Sequence, residues 1–231
     1  MKISVIIPCF NEESTIEQIV EKVNNQKRNF QIETIIIDDG SDDNTRDILK
    51  NRINQKVDKI LYNESNYGKG YTVNKGIQES KGDIILIQDA DLEYDPCEYP
   101  KLINPIIAGK ADVVFGSRFL GGEEKRILFF WHYLANKILT VVSNMLTNLN
   151  LTDMETGFKV FKREFVNKIE LKEKRFGFEP EITAKISKLK PRIYEVGISY
   201  FGRTYEEGKK ITWVDGISAL KCILQYNLFG R

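Results

Sequence analysis

Cysteine and histidine are scarce in this chain of 231 residues. The three cysteines, Cys9, Cys97 and Cys222, are odd in number and show no metal-ligand spacing. That excludes a disulfide framework and a cysteine metal cluster, and points to a reducing compartment. The one histidine, His132, stands beside Trp131 and Tyr133 in a helical stretch, where packing explains it as well as catalysis does. An excess of one charge is lacking too. With 34 Lys and Arg against 33 Asp and Glu, no global nucleic-acid footprint exists. Long apolar runs are missing as well. The best stretch, residues 127–149, is interrupted by His132, Asn136, Lys137 and Asn144, whereas a span needs about 20 mostly apolar residues. No signal-like segment precedes the strand-like run at Ile3–Ile7, so the expectation is a cytoplasmic protein, with any membrane contact peripheral and at the inner face. Repeats and a Pro/Gly/Ser-rich linker are also absent. The chain therefore reads as a single domain, residues 1–231, with two functional halves, 1–125 and 126–231.

What is present is alternation. Strand-like "ISVIIP", "ETIIID", "KILY", "DIILIQ" and "DVVFG" are separated by helical patterns at Glu12–Val23, at "SDDNTRDILKNRI" with Ser41 or Asp42 as cap, at Gly68–Glu79 and at "PCEYPKLINPIIAG". This order predicts an α/β fold, a mostly parallel central sheet with helices on both faces. The second half reads as a long helix over Phe129–Leu149, a strand at "GFKVFK", a helix at "PEITAKISKL", a strand-like run "RIYEVGISYFG" and a closing amphipathic helix over Trp213–Phe229.

Ligands of such sheets sit beyond the carboxyl ends of the strands. Here those ends are Pro8-Cys9-Phe10-Asn11-Glu12, Asp38-Asp39-Gly40-Ser41 and Gln88-Asp89-Ala90-Asp91. Acids gathered on one edge repel each other unless a cation or donor groups join them. Asp89 and Asp91 offer hard oxygen ligands for Mg²⁺ or Mn²⁺, which would neutralise a diphosphate leaving group; turn and cap acids are the plainer explanation of that pair taken alone. Asp38 and Asp39 suit the hydrogen-bond donors of a nucleoside, and Lys69, between Gly68 and Gly70 at a helix start, suits phosphate. Arg118 after the fifth strand, and Arg203, Lys209 and Lys210 in "FGRTYEEGKK", are further anion-binding candidates, although any one of them reads equally as solvated charge.

Taken together, "SVIIPCFNEE", "IIIDDGSDDNT", "NYGKGYTVNKGI", "QDADLEYDP", "GSRF", "TDMETGFKVF" and "GRTYEEGKK" closely resemble family 2 inverting glycosyltransferases. The nearest branch is that of dolichol-phosphate mannose synthase and other polyprenyl-phosphate glycosyltransferases. The resemblance implies a GT-A fold and a nucleotide-sugar donor. Positions matching Pro8, Phe10, Glu12, Asp38 and Asp39 would hold the nucleoside. Those matching Asp89, Ala90 and Asp91 would meet the diphosphate and its metal, with Glu93 a further ligand where some relatives have Gln. Arg118 and Arg203 would hold a polyprenyl-phosphate acceptor. Where the branch has an Arg and a Ser on the helix after the fifth strand, this chain offers His132, Asn136 and Lys137.

The chemistry so implied is one in-line displacement at the anomeric carbon. A phosphate acceptor needs no general base, but a hydroxyl acceptor does, and Asp153 and Glu155 are the candidates. With a phosphate acceptor Asp153 would orient sugar or metal-bound groups instead. A sugar-nucleotide pyrophosphorylase would want an Arg-containing glycine loop after the first strand, which "PCFNEES" lacks. A non-catalytic nucleotide-sugar-binding module stays open, as does a hydroxyl acceptor in cell-surface polysaccharide synthesis. The apolar residues of 129–142 and of 213–228 fall at helical spacing with Lys137 and Lys221 on other faces; they predict either lipid-interface helices or internal packing.

Overall fold

The structure is a computed structural model that describes residues 1–127, 129–209 and 213–229. The strands are β1 (Lys2–Cys9), β2 (Gln31–Asp38), β3 (Lys59–Tyr62), β4 (Ile84–Ile87), β5 (Val113–Ser117), β6 (Lys159–Lys162) and β7 (Ile193–Gly197). They form one seven-stranded sheet in the order β3-β2-β1-β4-β6-β5-β7. All run parallel except β6, which pairs antiparallel with both β4 and β5. The expected mostly parallel sheet is present. The second half of the chain nevertheless inserts β6 between two strands of the first, so the halves interleave in one sheet.

The helices are α1 (Ile16–Gln26), α2 (Thr45–Ile48, continued by a π-helical turn, Leu49–Ile53), α3 (Lys69–Glu79), α4 (Tyr99–Ile107), α5 (Phe130–Thr147), α6 (Arg163–Val166), α7 (Phe178–Lys188) and α8 (Trp213–Leu224). They cover both sheet faces, and the pleat of β1 shows how. Ile3, Val5 and Ile7 pack with the buried sides of α1 and α4, while Ile6 packs on the opposite face with Val73 of α3 and Ile182 of α7. Each such fully buried aliphatic side chain contributes about 1.5–3 kcal/mol relative to exposure.

Three expectations are corrected at element ends. Helix α1 begins at Ile16 rather than Glu12, because Asn11 takes a left-handed conformation and the Glu12 carbonyl accepts from the N–H groups of Thr15 and Ile16, closing a turn first. Neither Ser41 nor Asp42 caps α2. Ser41 Oγ accepts from the Asn11 N–H, and Asp43 Oδ1 accepts from the Thr45 N–H at the helix start. The strand-like run 192–202 stays in the sheet only to Gly197, after which it crosses towards the carboxyl ends of β4 and β5, where the Phe201 N–H donates to the Glu93 carbonyl. Among the described residues no helix is long and apolar enough to cross a membrane, and the three cysteines are free.

Candidate active site

The carboxyl ends of β1, β2 and β4 build one edge. At its β2 end Asp38 and Asp39 are buried. Asp38 accepts from Arg46 Nε at 2.6 Å, and Asp39 accepts from Asn63 Nδ2 at 2.8 Å and from the Tyr67 and Gly68 N–H groups at 3.1 and 2.7 Å. Gly68 stands at φ 101°, a backbone conformation that side chains disfavour, and this lets its N–H turn back onto Asp39 as α3 begins. Asp39 therefore ties β2 to the loop before α3, and Asp38 ties it to α2. Pro8, Phe10 and Glu12 line the cavity beyond, whereas Asp38 and Asp39, expected beside them, are not part of its lining.

The cavity, about 970 Å³, runs from Pro8 and Phe10 past Lys69, Asp89, Ala90 and Asp91 to Arg118, and then between α5 and α8. Within it the acids are held by the protein's own cations. Lys69 Nζ lies 2.8 Å from Asp89 Oδ1 and 2.9 Å from Glu179 Oε1. Burial opposes the charge of Lys69, but the two carboxylates outweigh it and hold the ammonium well above its ordinary range. Arg203 donates to Asp91 Oδ2 at 2.8 Å, to Glu93 Oε1 at 3.3 Å and to Glu12 Oε2 at 3.4 Å. Glu93 also accepts from the Arg203 N–H at 2.9 Å and from the Tyr200 hydroxyl at 2.8 Å. Burial raises the Asp91 carboxyl, and the negative charges of Asp89, Glu93 and Glu12 raise it further against the pull of Arg203. The edge is thus short of positive charge.

Among the described residues no group of three metal-ligating side chains converges, since Glu93 is turned to Arg203 and Tyr200. A divalent ion that completes its shell with phosphate oxygens and water needs only one or two carboxylates, and the crowded Asp89–Asp91 pair fits that demand. Gly157 leaves room for Asp89, since a Cβ there would stand 2.4 Å from Asp89 Oδ2.

Across the cavity, Asp153 is fully buried and engages Arg118 with both oxygens, at 2.7 Å from Nε and 2.7 Å from Nη2. This bidentate pair orients the guanidinium, which also lies 5.3 Å over the Tyr200 ring. Glu195 in turn accepts from the N–H groups of Thr152 and Asp153, fixing the loop that carries Asp153. Lys209 and His132 line the same wall, and the Tyr205 hydroxyl is 2.9 Å from His132 Nε2. Lys210 lies outside the described residues. Glu179 and Glu195 escaped the sequence reading because they sit in an ordinary helix and strand, and only their spatial partners mark them.

The chain is 30% identical over 215 residues to a dolichol-phosphate mannosyltransferase of Pyrococcus furiosus, covering 91% of this chain and 61% of that protein. It is 26% identical over 213 residues to an undecaprenyl-phosphate 4-deoxy-4-formamido-L-arabinose transferase of Proteus mirabilis, covering 90% and 62%. It therefore spans about three-fifths of the length of these relatives. Among solved structures, glucosyl-3-phosphoglycerate synthase of Mycobacterium tuberculosis, in complex with Mn²⁺, UDP and glucosyl-3-phosphoglycerate, superposes with a TM-score of 0.76 at 18% identity, covering 98% of this chain and 80% of that one, which establishes the shared GT-A fold. The model of the family described as Glycosyl transferase family 2 matches residues 4–170, the stretch that carries β1 to β6 and the Asp89–Asp91 edge, and the chain belongs to that family.

Proposed function

We propose that the chain transfers a hexose, with inversion, from a nucleotide-sugar donor of the GDP-mannose or UDP-glucose type to a polyprenyl or dolichyl phosphate. The observation that carries this reading is the single cavity joining the charge-deficient Asp89–Asp91 edge to Arg118 and on to the apolar sides of α5 and α8. A donor diphosphate suits the first part, an anionic acceptor head the second and an isoprenoid chain the third. The names of the Pyrococcus and Proteus relatives support a lipid-phosphate acceptor. In this reading residues 1–125 supply most of the donor side and 126–231 most of the acceptor side.

Asp89 and Asp91 would hold Mg²⁺ or Mn²⁺, which when bound offsets the charge developing on the nucleoside diphosphate. Lys69 neutralises Asp89 and stands beside the diphosphate position. Pro8, Phe10 and Glu12 bound the nucleoside end. Arg118, fixed by Asp153, and Arg203 hold the acceptor phosphate in line with the anomeric carbon. An ionised phosphate acceptor asks no proton of the protein, consistent with Asp153 having both oxygens on Arg118.

The test is release of nucleoside diphosphate from a panel of nucleotide sugars, with polyprenyl phosphate present or absent and with chelator or added Mn²⁺. Turnover should require both the lipid phosphate and the metal. Undiminished turnover in chelator would remove the metal from the mechanism. Turnover with a soluble hydroxyl acceptor, but none with the lipid, would replace the acceptor assignment.

A further inference from the structure

Two buried carboxylate oxygens without a hydrogen-bond partner among the described residues, Glu155 Oε1 and Glu179 Oε2, belong to residues lining the cavity. Glu179 is 4% exposed and stands in the first turn of α7. Its Oε1 meets Lys69 Nζ at 2.9 Å, and the same ammonium meets Asp89 at 2.8 Å, so Glu179 lies one cation away from the diphosphate position. Glu155 precedes β6 on the loop whose Gly157 leaves room for Asp89. Burial raises the Glu155 carboxyl to about 8, helped by the charge of Glu179, and burial lowers the fully buried Lys159 ammonium to about 8 against the pull of Glu179 and Glu155.

A buried carboxylate oxygen without a donor is unfavourable, and native proteins rarely leave one unmatched. Two such oxygens on one wall call for a ligand rich in hydroxyl donors. A fully ionised phosphate has no hydrogen to donate there, and neither has an isoprenoid chain. Resting on the transferase reading above, we propose that Glu155 and Glu179 bind hydroxyl groups of the donor hexose and so select among sugars that differ in the position or configuration of one hydroxyl.

The experiment compares the unsubstituted protein with Glu155→Gln and Glu179→Gln. Nucleoside diphosphate release is measured with UDP-glucose, UDP-galactose, UDP-N-acetylglucosamine and GDP-mannose, and the inhibition constant of the free nucleoside diphosphate is measured alongside. The ratio of kcat/KM between the preferred sugar and its epimer should fall by about tenfold or more in each variant, because a site built to bond a hydroxyl discriminates through that bond. The inhibition constant should change by less than about threefold, a separation that general damage would not produce. Glu179→Gln also loosens Lys69, whereas Glu155 forms no ion pair among the described residues, so Glu155→Gln carries the decision if the other variant melts early. Turnover by Glu155→Gln with an unchanged epimer ratio, or a parallel rise in the inhibition constant, overturns the sugar-reading role alone. An unsubstituted protein that binds nucleoside diphosphate but turns over no nucleotide sugar overturns the transferase reading and this role with it.

Discussion

Asp91 is the residue at which stability and chemistry pull apart. Its carboxylate is buried among Asp89, Glu93 and Glu12, so its charged form is unfavourable in the folded protein. Asp91→Asn keeps the size and removes one charge from that group, while Arg203 retains Glu12 and Glu93. The expected outcome is a melting temperature unchanged or raised, with kcat lowered by about 10²-fold or more, because functional sites commonly sacrifice stability. Thermal melting and turnover on one preparation check both halves. A variant that lost neither activity nor stability would remove Asp91 from the proposed mechanism. Arg203 is the counterpart. Arg203→Ala should raise KM for the acceptor at least tenfold more than it weakens donor binding, since a charge-assisted contact to phosphate contributes about 1.5–3 kcal/mol. Calorimetry with the nucleotide sugar separates the two effects, and an equal loss of donor affinity would move Arg203 to the donor side.

At the scale of elements, the two outer strands beyond β6 depend on one carboxylate. Asp112, at the start of β5, accepts from Arg192 Nε at 2.9 Å and Nη2 at 2.7 Å, just before β7, and from Lys162 Nζ at 2.7 Å, at the end of β6. The Arg192 hydrogen bonds, joined by Lys162, hold the Asp112 carboxyl well below the usual carboxylate range. A value depressed on folding contributes stability above the unfolded value of about 3.9 and loses it as pH falls towards the folded one. Asp112→Asn should therefore destabilise by about 1–3 kcal/mol near pH 7, a range discounted for the partial exposure of Arg192. The gap between the two proteins should narrow on acidification below about pH 4. Urea unfolding at both pH values measures it; a gap that widens in acid would show the sign to be wrong.

For the whole molecule, the question is what α5 and α8 face. Phe130, Trp131, Ile138, Trp213 and Ile217 are all more than half exposed, on the two helices that flank the far end of the cavity. Leu139 and Ala219 of the same helices are buried against the sheet. One side of each helix therefore packs internally, and another side is left outside. Apolar helix faces beside a proposed lipid-phosphate site suit a membrane interface. Sedimentation with anionic vesicles should be lost when Phe130 and Val214, exposed on the same two helices outside the cavity lining, are changed together to Ser, while turnover of a short-chain, water-soluble acceptor persists. An unsubstituted protein that stays in the supernatant with every vesicle would leave these faces without a lipid role.

Much of this protein was legible before any contact was known. Alternating buried runs and helical periods dictate a parallel sheet, and polar strand ends at Glu12, Asp39 and Asp89 then fall on one edge, because parallel strands end together. Local patterning carries that information within a few residues. Pairing across the chain is different in kind. The antiparallel insertion of β6 between β4 and β5, the Lys69–Glu179 bridge and the hold of Arg203 on Glu12, 191 residues away, left no mark on periodicity or spacing. A carboxylate in a helical run looks the same whether it meets water or an ammonium ion. Only the folded chain decides which cation answers which acid, since that choice depends on distance and burial, and both arise from packing.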